Sequence, residues 1–227
     1  MLKAGNLRAG SRVLEVGCGT GQATRPLAET GLEVHALELG PALAALAQQN
    51  LANYPNVTVE QVAFEAFETG TSFDALVSVQ AFHWIEPETG LAKAASLLRP
   101  GGALLLAWHQ DRSEDTPFYR ATEPIFERYV PGFEQTRPTP TFAPERLRRV
   151  LEASDAFEQV SVSRFAWRHP YSRDRFLDLL LTFSNVQAVE AAARAAFLAA
   201  IAVVVDAHGG SVVRPYESVL LGAYKRS

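Results

Sequence analysis

Glu15, Gly17, Gly19 and Gly21 stand at alternate positions in Arg12-Val13-Leu14-Glu15-Val16-Gly17-Cys18-Gly19-Thr20-Gly21-Gln22, a spacing suited to gripping an oxygen-rich, partly cationic ligand. The glycines let backbone N–H groups approach a ligand closely and make positive φ angles inexpensive. A helix expected from about 22 to 30 aims its unpaired N–H groups and the positive end of its dipole at the same turn. The dinucleotide fingerprint G-x-G-x-x-G needs a glycine at 22, where this chain has Gln22, so that pattern fails by one residue. A carboxylate at Glu15 repels a pyrophosphate but attracts an ammonium or a sulfonium. A second acid, Glu38, ends the apolar run Val34-His35-Ala36-Leu37-Glu38, 21 residues beyond Gly17. In parallel nucleotide-binding sheets an acid at about this distance accepts hydrogen bonds from ribose hydroxyls. It also precedes a helix starting near Pro41, whose dipole favours an acid there in any case.

Such residues need a sheet to position them. Apolar runs at 12–16, 33–38, 57–62, 74–79 and 103–108 alternate with helical stretches near 22–30, 41–52 and 88–98. This is the βαβ alternation of a parallel sheet covered on both faces. Arg99-Pro100-Gly101-Gly102 is a strong stop signal, predicting a turn between the last of these helices and the strand that follows. The second half differs in character. Pro131, Pro138, Pro140 and Pro144 punctuate residues 113–156, with helices expected at 117–130 and 144–153. A strand follows at 157–167, then helices at 172–182 and 186–207, the Gly209-Gly210 stop, and a final strand at 212–224.

Glu15-x-Gly17-x-Gly19-x-Gly21 resembles the first motif of class I S-adenosylmethionine-dependent methyltransferases. Phe73-Asp74-Ala75-Leu76-Val77-Ser78-Val79-Gln80-Ala81-Phe82-His83-Trp84 resembles the fourth motif, and more narrowly the branch with a His-Trp pair after that strand, a layout similar to trans-aconitate and juvenile-hormone-acid type enzymes. With the 99–102 turn, the resemblance covers residues 12–109. It implies an α/β fold: a Rossmann-like, doubly wound, seven-stranded sheet with an antiparallel last strand and a helical cap insertion. The chain then divides into a cofactor-binding core at 1–112, a helical insertion at 113–156, and the last two strands at 157–227 with cap helices at 172–207. Relatives usually carry several dozen residues before the first strand, whereas this chain reaches it by Arg12. Either the start is trimmed or the cap comes wholly from the second half.

The resemblance also implies an activity: transfer of a methyl group from S-adenosylmethionine to an oxygen, nitrogen or carboxylate of a small molecule. A noncatalytic cofactor-binding or scaffold protein is the alternative, and a nicotinamide or nucleotide-sugar enzyme is disfavoured by Glu15 and Gln22. By the resemblance Glu15 lies near the methionine ammonium, and Gly17, Cys18, Gly19, Thr20 and Gly21 back onto the cofactor. Glu38 and Leu39 border it on the second strand, and Gln80, Ala81 and Phe82 lie along its methionyl part. Many relatives place an acid near position 63 for the adenine amino group. Here Ala63 stands there, leaving backbone, Phe64 and Glu65 as adenine contacts, or Phe64 as a core residue. His83 is a candidate general base, or else it orients its loop. Substrate contacts are expected from His83, Trp84, Trp108, His109, Arg112, Tyr119, Trp167 and Tyr171, with arginine able to pair with a carboxylate. Large aromatics in a cap are otherwise core residues.

Composition bounds the alternatives. A chain of 227 residues suits one large domain or a core with an inserted cap. Its net charge of -4 argues against nucleic acid as a partner. A single cysteine, Cys18, excludes an intramolecular disulfide and fits a reducing cytoplasm; inside a tight turn it is expected to be a buried filler rather than a nucleophile. The longest uncharged apolar stretch, 195–205, is too short to span a bilayer, so no membrane association is expected. His83 and His109 are isolated in sequence, so no metal site is expected.

Overall fold

A computed structural model describes residues 1–112, 114–130, 132 and 144–227. Pro131, Pro138 and Pro140 lie outside the described residues. Seven strands form one sheet: β1 (Arg12–Val16), β2 (Glu33–Glu38), β3 (Val57–Gln61), β4 (Phe73–Val79), β5 (Leu98–Asp111), β6 (Phe157–Ser172) and β7 (Ser211–Lys225), in the spatial order β3-β2-β1-β4-β5-β7-β6. The first five pair in parallel, with Leu14 opposite both His35 of β2 and Leu76 of β4. Of the last two, β7 runs against the others and β6, antiparallel to β7, runs with β5. Lys225 Nζ donates to the Leu98 carbonyl while Arg112 N donates to the Pro215 carbonyl, so β7 numbers fall as β5 numbers rise. Ser161 Oγ donates to the Gly222 carbonyl and Trp167 Nε1 to Ser218 Oγ, and the same inversion relates β6 to β7.

The chain divides into two compact units. The first comprises Met1–His109, Ala143–Arg164 and Val219–Ser227, and the second Gln110–Phe142 and Phe165–Ser218. These limits differ from the three-part division expected at 112 and 156, since α5 (Pro144–Ala153) falls in the first unit. In the first unit, strand side chains alternate between two buried clusters. Leu14, Leu76, Leu104 and Leu106 enter one; Val13, Ala75, Val77, Ala103 and Leu105 enter the other. Successive strand residues point to opposite faces, so both faces of the sheet are covered. The helices α1 (Thr24–Glu29), α2 (Pro41–Asn50) and α3 (Pro87–Leu97) connect its strands. The second unit has its own apolar core, built on Phe176, Leu180, Val186, Phe197, Ile201 and Val205, from α6 (Arg173–Leu181), α7 (Ser184–Gln187) and α8 (Ala191–Ala207). It also contains α4 (Pro117–Tyr129).

Boundaries depart from the sequence expectation in several places, among them β6, which runs on to Ser172 rather than ending at 167. Residues 99–102 do not form a separate turn. β5 begins at Leu98, which pairs with Phe73, and the next pair is Ala75 with Ala103, so the extra residues are absorbed as an irregularity within the strand; Gly101 supplies a φ of 70° there. The helix expected at 186–207 is two helices, because the Glu190 side chain accepts from Ala192 N at 2.9 Å and Ala193 N at 3.2 Å and starts α8 afresh. The first helix begins at Thr24 rather than 22 and has only 6 residues, which reduces the dipole it offers to the glycine turn.

Candidate functional site

β1 delivers a buried acid to a sharp turn. Glu15 is 1% exposed, and burial raises its carboxyl to about 7. Its Oε2 and the neighbouring Thr24 hydroxyl are both buried, and the hydroxyl favours the charged form. Gly17, Gly19 and Gly21 have φ angles of 72°, 58° and 88°, a region that disfavours side chains. A Cβ at Gly17 would stand 2.3 Å from the Ala81 Cβ, and one at Gly21 would stand 2.7 Å from Leu51 Cδ1. At Gly19 a Cβ would meet nothing within 4 Å, so the middle of the turn faces open space. Asn50, at the end of α2, donates from Nδ2 to the Thr20 carbonyl at 2.9 Å. Cys18 is 5% exposed, and burial, reinforced by Glu15 and Glu38, pushes its thiol up to about 12. A thiol so protonated is a packing group, as the sequence suggests.

Glu38 ties the turn to the second strand. Its Oε2 accepts from Gly19 N and its Oε1 from Gly40 N, both at 2.8 Å. The second bond realises the helix-start role open to this acid, because Gly40 is the residue capping α2. Each carboxylate oxygen keeps a second lone pair for a hydroxyl donor. Leu39 is 68% exposed beside it.

β1 lies between β2 and β4, so the chain reverses its direction of travel across the sheet at β1, and ligands in open α/β sheets bind at the carboxyl ends of strands beside such a switch. At the end of β4, Gln80 holds a φ of 59°, donates its N–H to the Ala107 carbonyl at 2.9 Å and its Nε2 to the His109 carbonyl at 3.0 Å. These bonds hold a residue in a conformation that costs about 1–3 kcal/mol. Ala81 then passes under Gly17, and a 3-10 turn runs over Phe82–Trp84.

The sequence-selected aromatics separate into core and surface. Phe82 is buried with its ring 6.1 Å from Phe64, and both belong to the core. Phe64 thus takes the core role that the sequence left open beside an adenine contact, and Phe82 keeps its backbone at the strand end while its ring packs inward. Ala63 is half-buried and Glu65 exposed in the same loop. Trp108 is 4% exposed, and its Nε1 donates to His83 Nδ1 at 3.4 Å. Burial lowers the His83 pKa, which favours the neutral ring. With Nδ1 accepting, the ring proton of that neutral form sits on Nε2. Trp84 is 83% exposed, and its ring centroid lies 4.9 Å from that of His83. His109 is exposed, next to the end of the first unit.

Arg112, Tyr119, Trp167 and Tyr171 belong to the second unit. Arg112 and Tyr119 line a cavity there, while Trp167 and Tyr171 do not. Trp167 stacks on Tyr216 at 4.5 Å and 19°, and Tyr171 shares a 2.9 Å hydroxyl contact with Tyr216. Sequence reasoning missed Thr24, Asn50 and Tyr216, and the pair in which Arg214 donates to Asp111 at 2.6 Å. Asp111 and Arg214 are 103 positions apart, and no local pattern announces such a pairing.

Among the described residues no helix is long and apolar enough to cross a membrane, and no group of three or more His, Cys, Asp or Glu could hold a metal ion. Residues 13–102 match the family model of a methyltransferase domain. The chain is 37% identical over 101 residues to an uncharacterized methyltransferase of Mycobacterium tuberculosis, covering 44% of this chain and 41% of the relative. It is 33% identical over 124 residues to the demethylmenaquinone methyltransferase of Tropheryma whipplei, covering 54% of this chain and 50% of the relative. The chain thus spans about half the length of the curated relatives it matches. Its fold is similar to that of a candidate type II methyltransferase from Anaeromyxobacter dehalogenans, with a TM-score of 0.68 and 21% identity over 99% of this chain and 93% of the other. Over residues 13–102 the chain is thus similar to a methyltransferase domain, in the stretch that contains the glycine turn and both acids.

Proposed function

We propose that this protein binds S-adenosylmethionine in the first unit and transfers its methyl group to a small molecule. The observation that carries this is Glu15, a carboxylate 1% exposed beside the glycine turn, whose charge is favoured among the described residues by the neighbouring Thr24 hydroxyl and by no cation. An unpaired buried acid is costly unless a cation arrives to compensate it. The methionine ammonium is such a cation, and Glu15 is the residue to balance it. The N–H groups of Gly17, Cys18, Gly19 and Gly21 are engaged within the protein, so the turn contributes open space at Gly19 for close approach of a ligand, and the free lone pairs of Glu38 suit ribose hydroxyls, with Leu39 bordering them. The cofactor, when bound, supplies a methyl group already electrophilic through its sulfonium.

The protein's part is then positioning and exclusion of water, worth about 7–11 kcal/mol when alignment is good. Gln80 and Ala81 fix the backbone at the switch point. His83, kept neutral by burial, stands beside the switch point as a group able to orient an acceptor or take its proton, with exposed Trp84 flanking it. Small-molecule methylation accords with the relatives' names and with the net charge of -4, and the absence of a membrane-crossing helix among the described residues accords with action in the cytoplasm.

Calorimetric titration with S-adenosylhomocysteine, and with NADH as the contrast, tests the binding; a metabolite-extract screen for methylation tests the transfer. Saturable S-adenosylhomocysteine binding without NADH binding is expected, as is methylated product. NADH binding in its place would overturn the assignment. Cofactor binding with no methylated product from any extract would leave a noncatalytic binding protein.

A further inference from the structure

We infer that the cavity within the second unit is a binding site for a planar aromatic molecule bearing a single carboxylate. Its volume is about 880 Å³, inside the range of about 300–1,000 Å³ typical of small-molecule sites. Phe118, Phe126, Phe176 and Phe183 supply aromatic lining, and Phe118 meets Phe176 edge to face at 5.8 Å and 70°. Rings arranged this way present both edges and faces to a flat guest.

The charges around it are almost all satisfied. Asp111 pairs with Arg214 at 2.6 Å, Glu114 with Arg168 at 2.6 Å, and Asp115 with Arg120 at 2.5 Å. Arg214 also lies over the rings of Phe183 at 5.7 Å and Tyr216 at 5.3 Å, so its guanidinium is committed. Arg112 is different. Its backbone N–H is fixed to the Pro215 carbonyl at 3.1 Å, and among the described residues no carboxylate pairs with its guanidinium. A guanidinium left over beside an aromatic cavity recognises a carboxylate through two parallel N–H···O bonds. The carboxylates already lining the cavity would repel a dianion, which selects a monoanion. As a site for the methyl acceptor this inference rests on the methyltransferase reading; as a binding cavity it does not.

The test is calorimetric titration of the full chain, without cofactor, using 2-naphthoate and the neutral 2-naphthamide. Naphthoate is expected to bind about tenfold more tightly or better, the fold-change that matches a charge-assisted hydrogen bond. Arg112→Ala is expected to bring naphthoate down to the affinity of the amide while leaving the amide within about twofold of wild type, a split that loss of structure would not produce. Phe118→Ala should weaken both. No binding of either compound, equal affinity of wild type for the two, an Arg112→Ala chain that keeps the preference, or one that loses both compounds together would each overturn the inference. S-adenosylhomocysteine titrated into the same protein reports separately on the cofactor site that the methyltransferase reading requires. Naphthoate preference without S-adenosylhomocysteine binding supports the cavity and refutes the acceptor role, and the converse refutes the cavity alone.

Discussion

Burying Glu15 at the end of β1 changes when it gives up its proton. The folded chain holds that proton up to about 7, against 4.5 for the ordinary group, with desolvation as the cause. Folding therefore takes up a proton between these values, and stability falls as pH rises through the window, by roughly 3 kcal/mol once titration is complete. Urea midpoints of the ligand-free chain at pH 5 and pH 8 should show this loss, and Glu15→Gln should remove its share of it. The variant should be more stable than wild type at pH 8 while binding S-adenosylhomocysteine more weakly. A slope unchanged in Glu15→Gln would mean that the carboxyl is not desolvated as described. The same residue explains how far the site could be read from sequence. Glu15, the glycines and Glu38 lie in two short segments whose spacing is itself the signal, whereas Thr24 became relevant only when its buried hydroxyl was found beside Glu15.

Among the elements, the strands and helices of the first half follow hydrophobic periodicity closely: β1 and β2 match the expected 12–16 and 33–38. Where expectation and structure part, a tertiary contact decides. Pairing of Phe73 with Leu98 draws the 99–102 segment into β5 against its own turn chemistry, and a side-chain cap from Glu190 divides one apolar helical run into two. Neither contact has a local periodic signature. A further long-range tie is Asn56, whose Nδ2 donates to the Ala28 carbonyl at 2.9 Å and the Leu32 carbonyl at 2.7 Å. It fixes the end of α1 and the approach to β2 from the start of β3. Asn56→Ala removes the amide from the Leu32 carbonyl and from the Ala28 carbonyl, which keeps the Gly31 N–H, and should cost about 1–3 kcal/mol, read as a lower urea midpoint with an unchanged slope. A midpoint equal to wild type would show that water replaces the amide without loss.

For the whole molecule, ligand binding and folding are linked. S-adenosylhomocysteine at a hundred times its Kd should add about 2.7 kcal/mol of stability, raising the melting temperature of a chain of this size by roughly 5–10 °C. NADH at the same concentration should leave it unchanged, and a reversed pattern would contradict the site. The contact between the Gly17 position and Ala81 bears on how such a molecule can be altered. The Ala81 methyl already fills the space beside Gly17, so Gly17 cannot gain a side chain unless Ala81 retreats, and Gly17 itself has nothing left to remove to make room for a larger residue at 81. Anyone diversifying this chain toward a new acceptor should therefore hold both positions fixed and spend the library on the second unit, where Phe118, Phe183 and Arg112 can change without disturbing that lock.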